Sequence, residues 1–338
     1  MTPHPRDWWA SGRAVLPGLL ACLVVAMAAR FLSDHYGAPV MLFALLLGIA
    51  FHFLSQESAC APGIGVASSA FLRVGVALLG VRISIHDILE LGAAPLVIVL
   101  VASTATVLFG VLAARALKLD KLGILTGGAV AICGASAALA ISTVLPRHAE
   151  SERNTIFTVI AVTTLSTMTM VLYPILAVAL GLSEAEAGLF LGATIHDVAQ
   201  VVGAGYTVSE SSGDIATFTK LLRVALLLPF VLVLTLLFRA QNTGRGERPP
   251  VLPWFLVAFA TLVALNSLGL FSEAVISAAG IVSGWCLVIA IAALGMKTSF
   301  KALADIGPRA VGLVVSETVF IAALGLAMIL WSRSLFGL

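Results

Sequence analysis

Apolar residues in this chain come in blocks of about 17 to 26, and no other feature of the sequence constrains the fold as strongly. A helix rising 1.5 Å per residue crosses a hydrocarbon core of roughly 30 Å in about 20 residues. In that medium only elements that satisfy their own backbone hydrogen bonds can stand. Blocks at 14–32, 38–54, 63–81, 94–114, 121–145, 154–180, 185–205, 215–238, 251–269, 273–296 and 307–331 therefore read as about 11 transmembrane segments. With 60% of residues apolar, 11% charged and a mean hydropathy of +1.09, too little polar surface remains to wrap a water-soluble globule. The expected fold class is an all-α polytopic membrane protein. A soluble enzyme, a disordered chain and a disulfide-framed domain are excluded.

The connections are short, so residues 1–338 read as a single integral membrane domain with halves at about 14–180 and 185–331, and the longest polar stretch, Arg239 to Pro250, reads as a mid-chain linker. Cationic clusters at Arg115, Lys118, Lys121, at Arg239, Arg245, Arg248 and at Lys297, Lys301, Arg309 fall on one side of such a chain and favour an inside N-terminus. Residues 1–30 imitate a signal peptide, but Pro17 and the spans that follow favour a retained first helix. Trp8, Trp9, Trp254 and Trp331 read as anchors at the membrane surface, and His52 as an interfacial residue. A net charge of +2 without a basic run gives no nucleic-acid footprint. Cys22, Cys60, Cys133 and Cys286 lack any CxxC spacing, which favours reduced thiols over a metal knuckle. No cofactor or metal is expected. A homo-oligomer is left open.

Residues 77–92 (ALLGVRISIHDILELG) and 292–307 (AALGMKTSFKALADIG) align at an offset of 215. Gly80/Gly295, Arg82/Lys297, Ser84/Ser299, Glu90/Asp305 and Gly92/Gly307 fall in register, within copies extending over about 71–101 and 286–316. Seven spans separate the copies, an odd number, so the repeats are expected to be inverted, as in many secondary transporters.

Two segments are crowded with small residues: 126–140 (TGGAVAICGASAALA) and 188–205 (GLFLGATIHDVAQVVGAG). Small residues permit close helix packing, and they equally permit an unwound helix whose backbone lines a cavity. A half-helix N-terminus offers free N–H groups and partial positive charge to an anion. His196, Asp197 and Gln200 in the second segment tip it toward function, since polar groups at that depth are costly unless paired or wet. Lys220 and Arg223 face one side of a helix and either bind an anion or snorkel to headgroups. Glu317, alone in the middle of the last span, is either an ion-coupling carboxylate or one half of an ion pair with Arg73. No HExxH, GxSxG or Walker loop is present, and His196–Asp197 lacks a nucleophile, so an enzyme is not expected.

The stretches AICGASAALA (131–140), GATIHDVAQVVGAG (192–205) and KLLRVALLLP (220–229) resemble the YeiH-type family of bacterial inner-membrane proteins, described as sulfate exporters. The family pattern usually has Glu where this chain has Asp197. The resemblance covers nearly the whole chain. It implies a multi-pass protein of the bacterial inner membrane, with the inverted repeats and crossed discontinuous helices of cation/proton antiporter and bile-acid symporter folds. It also implies a recurring polar set for substrate binding: Cys133, Gly134, Ser136, His196, Asp197, Gln200, Lys220 and Arg223. Asp197 and Glu317 are the candidates for ion coupling. The function expected is secondary transport of a small anion, best guessed as export of sulfate or a related sulfur oxyanion. The rivals are a Na⁺- or H⁺-coupled organic anion transporter and an intramembrane enzyme.

Overall fold

The computed structural model describes residues 5–36, 39–56, 59–84, 86, 93–146, 150–238, 254–298 and 308–336. The 239–250 linker and the outer parts of both repeat copies (85, 87–92 and 299–307) lie outside the described residues, as do the side chains of Trp8 and Trp9. The described secondary structure is helical: α1 Pro5–Tyr36, α2 Val40–Ala50, α3 Ala61–Val66, α4 Leu72–Leu79, α5 Ala94–Ala116, α6 Asp120–Ala131, α7 Ala135–Val144, α8 Ser151–Ala179, α9 Glu184–Thr194, α10 Val198–Val208, α11 Glu210–Ala225, α12 Leu227–Leu237, α13 Trp254–Ser267, α14 Glu273–Lys297 and α15 Pro308–Phe336. Among the described residues, seven helical stretches are long and apolar enough to cross a membrane, and α2, α6, α7, α10 and α13 contribute shorter apolar helices. Large apolar side chains such as Phe31, Leu108, Ile175 and Leu236 are exposed, which a bilayer accommodates and water would not.

The chain forms two compact units, each drawing on two stretches of sequence. The first comprises residues 1–88 and 257–299. Within it α4 and α14, which carry the two repeat copies, run antiparallel: Ser283 Oγ donates to the Gly75 carbonyl at 2.7 Å, while Gly280 faces the Arg82 side chain. A π-helical turn at Ala67–Phe71 joins α3 to α4, and Arg73 follows it on an exposed face. His52, expected at the interface, is half-buried with its Nδ1 2.6 Å from the Met296 carbonyl.

The second unit comprises residues 89–256 and 300–338. Its helix boundaries are written in the sequence. Ser183 and Glu186 form a reciprocal capping box at the start of α9, and Gly181 (φ 63°) ends the long α8. The two small-residue segments behave differently from the single crossings expected of 121–145 and 185–205. Both fold back on themselves. A Cβ on Gly128 of α6 would lie 2.5 Å from Ile141 Cδ1 of α7, although the two residues would stand roughly 20 Å apart on one continuous helix. Likewise Gly188 of α9 and Gly205 of α10 both press on the Ser212 carbonyl of α11, at 2.9 and 3.2 Å from their ideal Cβ positions. At 1.5 Å per residue each arm is only about 15–18 Å long, half a hydrocarbon core. The unit thus holds two helical hairpins, α6–α7 and α9–α10, in place of crossed discontinuous helices.

The hairpins approach α8 from its two ends. Asp197, at the tip of α9–α10, donates its N–H to Ser166 Oγ in the middle of α8 (3.0 Å), and Phe190 of the same hairpin packs on Tyr173 toward the α8 C-terminus. α11 and α12 run past both: Gly192 of α9 rests on Ala216 and Thr219, and Gly128 of α6 rests on Phe230. A labelling experiment checks this topology. Cysteines placed at Lys118 and Leu145 in a background without native cysteines should react with an impermeant maleimide from one side, and cysteines at Leu182 and Ser209 from the other. Opposite-side reaction within either pair means that the segment crosses.

Candidate functional site

The two hairpin tips meet. Gly134 carries φ 62° and ψ −126°, a backbone state open in practice only to glycine, and it turns the chain from α6 into α7. A Cβ there would stand 3.6 Å from the His196 carbonyl at the other tip. Gly134→Ala should cost about 1–3 kcal/mol in backbone strain, read as a fall of several degrees in Tm.

Each tip leaves two kinds of orphaned backbone group. The arms that enter, α6 and α9, end in carbonyls without helical partners and carry partial negative charge. The arms that leave, α7 and α10, begin with N–H groups and partial positive charge. Lys220 and Arg223 on α11 answer the first set. Lys220 Nζ donates to the carbonyls of Ile132 (2.8 Å), Ile195 (2.9 Å) and His196. Arg223 donates from Nε to Ala131 (3.0 Å), from one terminal nitrogen to Gly192 (3.1 Å) and Ile195 (2.9 Å), and from the other to Val130 (2.8 Å). Both side chains are fully buried. Snorkelling to headgroups is therefore overturned, and direct contact with an anion is closed to Lys220 in this conformation because carbonyls take all three of its N–H bonds. The cations act as caps that hold the tips together.

The second set lies at the starts of the departing arms. Ser136 lies exposed in the first turn of α7, and Asp197 is half-buried at the N-cap of α10. Cys133 is buried beside the turn. Gln200, in the first turn of α10, is 2% exposed and its Oε1 has no protein partner. His196 is fully buried, with Nε2 2.9 Å from Thr318 Oγ1 of α15. The Thr318 hydroxyl also lies 2.8 Å from the Val314 carbonyl, which makes it the donor there and the acceptor from His196. The structure thus gathers Cys133, Gly134, His196, Asp197, Lys220 and Arg223 at one junction, with Ser136 and Gln200 a turn away along the departing arms. An adjoining pocket of about 270 Å³, lined by Leu100, Val107, Leu226 and Phe230 among others, is largely apolar, with Ser103 and Thr104 as its polar lining residues.

Glu317 stands apart on α15, fully buried, with Oε1 2.8 Å from Thr126 Oγ1 of α6. Its hydrogen-bond partner is a hydroxyl of its own unit and not a cation. Sequence reasoning missed Thr126, Ser166 and Thr318. Hydroxyls in apolar helices usually bond their own helix, as Thr126 does to Leu122 and Thr318 to Val314, so nothing in the sequence sets them apart.

The family model described as Conserved hypothetical protein 698 matches residues 17–314. A UPF0324 membrane protein of Chlorobaculum tepidum is 54% identical over 319 residues, 93% of this chain and 89% of the relative. One from Rhizobium meliloti is 52% identical, over 92% and 91% of the two chains. The UPF0324 membrane protein TauZ of Paracoccus denitrificans is 50% identical, over 91% and 93%. No solved structure matches the chain.

Proposed function

This chain belongs to the family of conserved hypothetical protein 698, the YeiH-type UPF0324 membrane proteins, and on that premise we propose that it is a secondary transporter of small anions in the bacterial inner membrane. The observation that carries the reading is the junction of two hairpin tips. Their negative ends are neutralised by Lys220 and Arg223, and their positive ends, the first turns of α7 and α10, are left to a ligand. Fixed N–H groups suit sulfate or a related sulfur oxyanion, which accepts several hydrogen bonds at once. His196 and Asp197 set the geometry of the second tip, and Gln200 and Ser136 supply side-chain contacts.

The hairpins also give the transporter a topology. We take them as re-entrant, which leaves nine crossings and places Arg153 on the same side as the Arg115–Lys121 cluster, strengthening the positive-inside bias. The repeat copies then stand five crossings apart, still an odd number, and the antiparallel run of α4 and α14 agrees with inversion. Moving a dianion outward gains about 4.6 kcal/mol per 100 mV of inside-negative potential, so export needs no coupling ion.

Flux of labelled sulfate in proteoliposomes, at fixed potential and with imposed Na⁺ or H⁺ gradients, tests the reading. Potential-driven sulfate flux that is lost in His196→Ala supports it. Flux of carboxylates alone favours the organic anion transporter. Retained kinetics in both His196→Ala and Asp197→Asn would move the site elsewhere.

A further inference from the structure

We propose that Glu317 seats a monovalent cation, a proton or Na⁺, and that the adjoining Thr318 passes its occupancy to the hairpin bearing the anion site. The proposal deepens the transporter reading by giving it a coupling ion, and rests on that reading for the identity of the anion. The seat is built from four observations. The carboxylate is fully buried, and its Oε2 has no protein partner. Oε1 is 2.8 Å from the Thr126 hydroxyl. The carboxylate fits there because residue 110 is glycine: a Cβ on Gly110 would lie 2.5 Å from Oε1 and 3.0 Å from the Gly123 carbonyl. A carboxylate, a hydroxyl and a main-chain carbonyl therefore lie close together where α5, α6 and α15 meet, donor types that suit a hard cation, and the carboxylate equally accepts a proton. Phe109 and Phe320 stack at 4.3 Å nearby.

Of the helices packed on α15, among the described residues, α5, α6, α8 and α9 bring no charged side chain to Glu317. The titratable groups nearby are His196, bonded to Thr318, and Tyr173, whose hydroxyl lies 3.5 Å from the Thr318 carbonyl. An uncompensated carboxylate in such surroundings calls for a bound positive charge.

The relay follows from adjacency. Residues 317 and 318 stand about 100° apart on one helix, so Glu317 meets the α6–α7 hairpin at Thr126 while Thr318 meets the α9–α10 hairpin at His196. A shift of α15 on cation release alters both contacts together.

The test uses full-length protein in nanodiscs. Cation uptake is read as ²²Na⁺ binding and, separately, as protons released on a pH step, each with and without saturating sulfate. Wild type should take up one cation per chain, with an affinity that sulfate changes about fivefold or more. Glu317→Gln should abolish uptake, and Thr126→Val, which keeps the volume, should weaken it about tenfold. Thr318→Val should keep uptake but reduce the sulfate effect below about twofold. Unchanged uptake in Glu317→Gln overturns the seat. An unchanged sulfate effect in Thr318→Val overturns the relay. If sulfate neither binds nor moves while Glu317-dependent uptake persists, the anion assignment fails and the cation seat stands.

Discussion

Arg223→Met is expected to dismantle the junction of the hairpin tips, with loss of the folded protein and not a mere weakening of substrate binding. Four carbonyls, those of Val130, Ala131, Gly192 and Ile195, accept from this one guanidinium. Ala131 keeps a bond from Ser103 and Ile195 keeps one from Lys220, so Val130 and Gly192 lose the most. An orphaned buried carbonyl costs about 1–3 kcal/mol, so two alone cost some 2–6 kcal/mol before the lost charge is counted. The guanidinium also neutralises two helix C-termini, a contribution of up to about 2 kcal/mol at each. Together these approach the whole stability of an ordinary domain. Arg223→Lys should fold but melt lower, because a single ammonium cannot span carbonyls that a planar fork reaches in four directions. Melting curves and size-exclusion profiles of the detergent-purified variants decide the matter. A monodisperse Arg223→Met with the parental Tm and no sulfate binding would make Arg223 a substrate ligand and not a cap.

The same residues mark where the sequence was legible and where it was not. Block lengths gave some of the long helices nearly end for end, since apolar runs and their capping residues are local properties: the expected span 154–180 is α8 at Ser151–Ala179, and 307–331 is α15 at Pro308–Phe336. The breaks at Gly134 and His196–Asp197 were also legible, because a dense run of small residues with polar ones at mid-depth serves poorly as a plain crossing. What a break does to chain direction was not legible. Whether the chain continues or turns back depends on the torsions of two or three residues and on what packs behind them, here α11. The period of apolar residues is the same either way. Lys220 and Arg223 show a further limit. Their spacing predicted a shared face correctly, but their partners are main-chain carbonyls of residues 130–132 and 192–196, and every sequence offers carbonyls everywhere.

Asp197→Asn should bind the anion more tightly and move it more slowly. The junction holds two cations, Lys220 and Arg223, and one carboxylate, Asp197, at the N-cap of α10. An aspartate at an N-cap is favourable for the helix, but it occupies the end where an incoming anion would be drawn by N–H groups, and it repels that anion. Two unit charges roughly 8 Å apart interact by about 2 kcal/mol at an effective dielectric near 20, some thirtyfold in affinity and about twice that free energy for a dianion. Asparagine keeps the shape, and the Asp197 side chain makes no capping hydrogen bond that could be lost, so stability should change little. Release should slow in proportion, because the repulsion that opposed binding also drove the anion off. Equilibrium binding of sulfate to the purified variant, beside its turnover in proteoliposomes, reads both effects. A variant that binds sulfate more weakly would instead make the carboxylate a positive contributor to the site, through a coupling cation or by orienting His196. One that binds it equally well would put the anion far from the α10 N-terminus and detach the substrate from the second hairpin.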